Sequence, residues 1–177
     1  MKGHIQIIDG KPYNCYLENG RLKINSSFDV GATCMLYTNV DEWKEFDLPA
    51  GITTWKQLEQ FIGDLDMKYK IPKGDVLPFL LEGIAADVQW HVMDWDTSDK
   101  NITYKKTMEN GLQGHSKNEA ITAVGFYSEE SYRVLTHNGL KMQIHFVNYN
   151  HTLAAYMDDI TLDTRLKLYL PEKLEKR

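Results

Sequence analysis

Cysteine is nearly missing from this chain: Cys15 and Cys34 are the only two, and no CxxC pair occurs. A disulfide framework is thereby excluded, and a reduced, intracellular setting is expected. Long apolar runs are missing as well. The opening MKGHIQIIDGK has no hydrophobic core of a secretion signal, and no stretch nears the roughly 18 apolar residues of a membrane span. A soluble, cytoplasmic protein without a membrane partner is the expectation. Basic stripes are lacking too: the net charge is −5, and the basic C-terminal end is broken by Glu172 and Glu175. That balance argues against nucleic acid as a partner. No internal repeat, phosphate-binding glycine loop or low-complexity tract is found.

What is present suits one packed domain over residues 1–177, since 42% of the 177 residues are apolar and 11% aromatic. The segment from Lys141 to Asp159 reads as a β-hairpin. Met142, Ile144 and Phe146 alternate with Lys141, Gln143 and His145, Asn148, Asn150 and His151 supply a turn, and the return run alternates again. Gln143, His145 and Tyr156 thus become neighbours on a polar face.

Most other elements are also strands. His4 to Ile8, Tyr13 to Leu17 and Arg21 to Ile24 are joined by Asp-Gly and Asn-Gly turns into a small meander. Ala32 to Thr38 reads as a further strand. Thr54 and Gln57 have capping-box spacing ahead of an apolar stripe through Trp55, Leu58, Phe61, Ile62 and Leu65, which predicts a main helix from Thr54 to about Leu65. Val76 to Met93 reads as a long strand with a bulge or bend at Gly83. Along it, Asp87, Gln89 and His91 share a face. Asp94 to Asn118 has no usable periodicity and is predicted to be a long loop, either functional or solvated. Glu119 to Tyr127 is a strand, Ser128 caps a brief helix through about Val134, and Leu166 to Leu170 is the last strand. The fold class is therefore α+β, mainly mixed and antiparallel sheet with one main and one short helix.

In order and wording, several of these stretches resemble the acetolactate decarboxylase family. They are KGHIQIIDGKPYNCYLENGRL, VLPFLLEGIAADVQWHV, ITAVGFYSEESYRVL, IHFVNYNHTLAAYMDDI and the closing LYLP. The resemblance covers nearly the whole chain, which aligns from a point after the family's first helix and strand. It implies a lyase that decarboxylates 2-acetolactate to acetoin with the help of a divalent metal, zinc in that family.

The metal ligands of the family are an H-x-H pair and a later histidine after Gly-Gly. At those positions this chain has Gln143, His145 and Tyr156, with Ala154-Ala155 in place of the glycines. An amide and a phenol are poor substitutes for two imidazoles. The family's metal-proximal glutamate falls on His4 and its substrate-facing arginine on His91. The resemblance thus implies that His4, His91 and His145 carry any remaining metal site. His4, His91 and Glu172 are the catalytic candidates, and Gln143 and Tyr156 the substrate-binding ones. Read without the resemblance, a lone strand histidine is more often a hydrogen-bonded structural residue, Tyr156 a wall aromatic, and His115, His137 and His151 solvated.

Three readings stay open: a working decarboxylase, a relative binding a small hydroxy or keto acid with altered chemistry or none, and a structural or oligomerising protein with a filled pocket. An unpaired strand edge points to a homodimer.

Overall fold

The computed structural model describes residues 3–32, 35–72, 74–95, 98–101, 103–130 and 140–174. Two antiparallel sheets are built from the patterns above. In the first, β1 (His4–Ile8), β2 (Lys11–Glu18) and β3 (Arg21–Asn25) follow one another in a meander. Both turns use residues that tolerate a left-handed backbone, with Asp9 and Gly10 at φ 49° and 71° and Asn19 and Gly20 at 52° and 71°. These are the torsions that a two-residue hairpin needs to match strand twist.

The second sheet contains β4 (Trp43–Phe46), β5 (Leu77–Val92), β6 (Leu112–Tyr127), β7 (Met142–Asn148), β8 (Ala154–Thr161) and β9 (Leu166–Pro171), in the order β4-β9-β5-β6-β7-β8. β5 and β6 pair along their whole length, from Leu77 opposite Tyr127 to Val92 opposite Leu112. The other edge of β5 is shared. Leu80–Gly83 pair with β9, while Asp87–His91 pair with β8. Because β8 also pairs with β7, strands β5, β6, β7 and β8 close into a ring. Gly83 sits where β5 passes from one partner to the other. Its φ is +129°, and a Cβ there would collide with the Arg165 carbonyl, so both torsion and space require glycine.

The helix α1 (Trp55–Tyr69) begins at a complete capping box: Thr54 Oγ1 accepts from Gln57 N–H, and the Gln57 side chain accepts from Thr54 N–H at 3.1 Å. It buries Trp55, Leu58, Ile62, Gly63 and Leu65 against the sheet, facing β6 and β8. Phe79, Leu81, Val88, Ile144, Phe146, Met157 and Leu168, all fully buried, continue this core. At about 25 cal/mol per Å² of apolar surface removed from water, such side chains contribute about 2 kcal/mol each, and together they do most to hold the sheets and helix in place. Among the described residues no helix is long and apolar enough to cross a membrane.

Three expectations change. Residues 35–38 carry no strand, and Met35 and Tyr37 are exposed, so alternation there has no face to pack against. The region 94–118 is not a continuous loop: α2 (Tyr104–Asn110) starts at the Thr103 cap, and β6 begins at Leu112. The first half of β6 shows no apolar alternation because Gln113, His115 and Lys117 are exposed while Gly114 and Ser116 lie against Trp90, and it is held by its ladder to β5. The brief helix expected from Ser128 to Val134 falls largely outside the described residues.

Candidate functional site

Three strands of the larger sheet present polar side chains on the face opposite Met142, Ile144 and Phe146. Tyr156 on β8 lies directly across from His91 on β5 and from His145 on β7, so strand register alone places both imidazoles beside the phenol. The ring centroids lie 5.0 Å and 5.1 Å from that of Tyr156. The fourth ring comes from the other sheet. His4 on β1 approaches His91 at 5.4 Å, His145 at 5.2 Å and Tyr156 at 6.3 Å. β1 is held there by Gly3 N–H donating to the Met93 carbonyl at 2.7 Å, Met93 N–H to His4 Nε2 at 3.4 Å, and the Gln6 amide to the His145 carbonyl at 3.0 Å.

His4, His91 and Tyr156 are buried, while Gln143 and His145 are half-buried. The sequence candidates His4, His91, Gln143, His145 and Tyr156 therefore converge. Glu172 does not join them. It follows Pro171 at the far end of β9, where its N–H donates to the Glu42 carbonyl at 2.9 Å and its carboxyl meets that of Glu42. β9 pairs with β5 only as far as Gly83, at the end remote from His91, so sheet topology removes Glu172 from the site. His115 is on β6, with Nδ1 3.5 Å from Asp87, and His151 is exposed in the hairpin turn.

Asp158 completes the cluster, and it went unassigned in the sequence. Its carboxylate oxygens lie 2.8 Å and 2.9 Å from His91 Nδ1. The available signal was its position two residues after Tyr156 on the same strand face.

Burial sets the protonation states. Removal from water, followed by repulsion from His145 and His91, holds the His4 pKa well below its ordinary 6.5. Burial and then His91 lower His145 to about 4. Both rings are neutral near pH 7, and each has one lone pair. That of His4 accepts the Met93 N–H, while His145 Nε2 lies 3.0 Å from the Gln143 side-chain amide. His145 Nδ1 is buried with no partner among the described residues, whichever way the Gln143 amide is turned.

No family profile matches the sequence, and no curated protein is detectably similar to it. Solved structures are similar in shape. An acetolactate decarboxylase from Bacillus subtilis subspecies spizizenii superposes with a TM-score of 0.70 at 15% identity, covering 97% of this chain and 69% of that one. Alpha-acetolactate decarboxylase from Bacillus subtilis strain 168 gives 0.61 at 14%, covering 96% and 67%. A Staphylococcus aureus protein of unknown function, similar to alpha-acetolactate decarboxylase, gives 0.64 at 12%, covering 96% and 67%. The fold is α+β and acetolactate decarboxylase-like.

The side chains present do not suit the zinc ion that the resemblance implies. Among the described residues, no three His, Cys, Asp or Glu side chains are arranged to share a metal ion. His4 Nε2 accepts from the Met93 N–H, His145 Nε2 is paired with the Gln143 side-chain amide, and His91 Nδ1 is turned to Asp158. As arranged, this set does not fit the metal.

Proposed function

We propose that the face formed by His4, His91, His145, Tyr156 and Gln143 binds a small hydroxy or keto acid, with His91 as its acid–base group. Acetoin formation from 2-acetolactate is the first activity to test. The observation that carries the reading is the convergence of three imidazoles and a phenol from two sheets, with His91 Nδ1 held 2.8 Å from Asp158. A core this polar is costly unless it is used. Burying an imidazole that leaves one nitrogen unpaired costs about 1–3 kcal/mol relative to an apolar side chain of the same shape. The decarboxylase-like fold supports the substrate class by likeness of shape. Because the donor set does not fit a metal, no step of the proposal passes through one.

A ligand-binding relative without turnover is the second reading, favoured by the lack, among the described residues, of three side chains arranged to share the metal ion that the resemblance implies. One experiment separates the two. Purified protein is incubated with 2-acetolactate, acetoin is measured above the spontaneous rate, and metal content is determined on the same sample. Turnover that is absent from His91→Gln supports the enzyme. Saturable binding of 2-acetolactate without turnover supports the second reading, and neither result would end both.

A further inference from the structure

The His91–Asp158 pair joins β5 to β8 two residues beyond the register partner Tyr156, at the residue that a register shift leaves without a partner on β5, and it has the geometry of a histidine whose tautomer is fixed by a carboxylate. We propose that Asp158 is a positioning residue that keeps the proton of His91 on Nδ1, making Nε2 the proton acceptor of the site. The inference rests on the reading of this cluster as a substrate site, and names its base.

The assignment follows from hydrogen-bond accounting. An ionised carboxylate only accepts, so a nitrogen at 2.8 Å and 2.9 Å from its two oxygens must carry hydrogen. A neutral imidazole has a single N–H, which places the lone pair on Nε2. His91 Nε2 has no hydrogen-bond partner among the described residues, unlike His4 Nε2, which accepts from the Met93 N–H, and His145 Nε2, which is paired with the Gln143 side-chain amide. Of the three rings, His91 alone pairs one nitrogen with a carboxylate and leaves the other without a hydrogen-bond partner among the described residues.

The surroundings favour the same assignment. Asp158 is 20% exposed and the His91 side chain 4%, so the pair is shielded and little competed by water. The groups facing His91 are Asp158 and Tyr156 from β8, His145 from β7, His4 from β1, and the uncharged Gln113 opposite it on β6. Asp158 is the one carboxylate of this set. When Nε2 takes a proton from a substrate C–H or O–H beside a carbonyl, the electron pair stays on the substrate and the resulting imidazolium keeps its second N–H on Asp158. Nothing is oxidised, and return of the proton regenerates the base.

The test is spectroscopic. Long-range proton–nitrogen correlation spectra of the uniformly 15N-labelled protein at pH 7.5 identify which nitrogen of each imidazole is protonated. The expected result is hydrogen on Nδ1 of His91 in the parent, and a mixed or inverted tautomer in Asp158→Asn, with His151 unchanged as an internal control. Protonation of His91 at Nε2 in the parent overturns the inference, whatever the variant does, and so does the same tautomer in both proteins. Should Asp158→Asn lose the fold, the parent spectrum alone decides. The acetoin assay is read separately. If turnover exists, Asp158→Asn lowers kcat by about a hundredfold or more with little change in KM. If the tautomer is as expected and no acetoin or binding is found, the functional reading fails while the assignment of Asp158 stands.

Discussion

Acid should weaken this protein through His145 in a way that one substitution removes. The imidazole has an ordinary pKa of 6.5 in the unfolded chain and about 4 in the fold, chiefly because it is buried. Between those values the unfolded chain binds a proton that the folded one refuses. The stabilisation is therefore complete above about pH 6.5 and is lost as pH falls through about 4. At about 1.36 kcal/mol for each pH unit between the two values, the loss comes to roughly 3 kcal/mol. His4 is depressed in the same direction and adds to the loss. In His145→Gln nothing titrates at this position, and the Gln side chain keeps an amide beside Gln143. Urea unfolding of parent and variant at intervals from pH 7.5 to 4 gives two stability curves whose difference cancels the carboxylates common to both. The variant should lose less stability on acidification, by up to roughly 3 kcal/mol at pH 4. Parallel curves across this window would refute the idea that His145 is held neutral by burial.

Further outcomes test the packing and the site. Gly125→Ala should cost about 1–3 kcal/mol in urea unfolding, because the new Cβ collides with the ring of fully buried Phe79; an unchanged midpoint would show that β6 moves away from β5. Thr54→Ala removes the side-chain acceptor of the Gln57 N–H and should cost about 1 kcal/mol, whereas Thr54→Ser should retain most of it. Leu58→Ala, at a fully buried position of α1, should cost about 2–5 kcal/mol, and a loss below about 1 kcal/mol would place the helix face elsewhere. Treatment with a strong chelator should leave the thermal midpoint unchanged; a fall reversed by added zinc would contradict the donor geometry of the site.

Where one face of an element packs and the other is wet, hydropathy alone was enough to find it. The alternation through Met142, Ile144 and Phe146 and the stripe through Trp55, Leu58 and Ile62 both correspond to buried faces. The first half of β6 could not be found that way, since Gln113, His115 and Lys117 alternate with Gly114, Ser116 and Asn118 and neither set is apolar. Its ladder to β5 is a backbone property, invisible to hydropathy. β4 escaped for a related reason: Trp43–Phe46 is a short edge strand whose residues are all at least partly exposed. Within the site, register arguments reached His145 and Tyr156, but not the pairing of His91 with Asp158. That pairing depends on β8 closing back onto β5, which only the three-dimensional course of the chain determines. Glu172 lies apart from the cluster for a related reason, since the sequence does not say which end of β5 the final strand meets.

His4 reaches the cluster from a sheet that shares no strand with the one carrying His91, His145 and Tyr156. Its sheet is attached at this point by few hydrogen bonds, Gly3 to Met93, Met93 to His4 and Gln6 to His145. The cluster thus lies at a joint between two sheets, and a joint closed by few hydrogen bonds is expected to open before the larger sheet does. A long hairpin of β5 and β6 zips from contacts nearby in sequence, whereas β1 must find its seat across more than eighty residues of chain. Amide exchange at Gly3 and Met93 should accordingly run faster than at the centre of β5, reporting a partial opening in which the site is dismantled while the larger sheet stays intact.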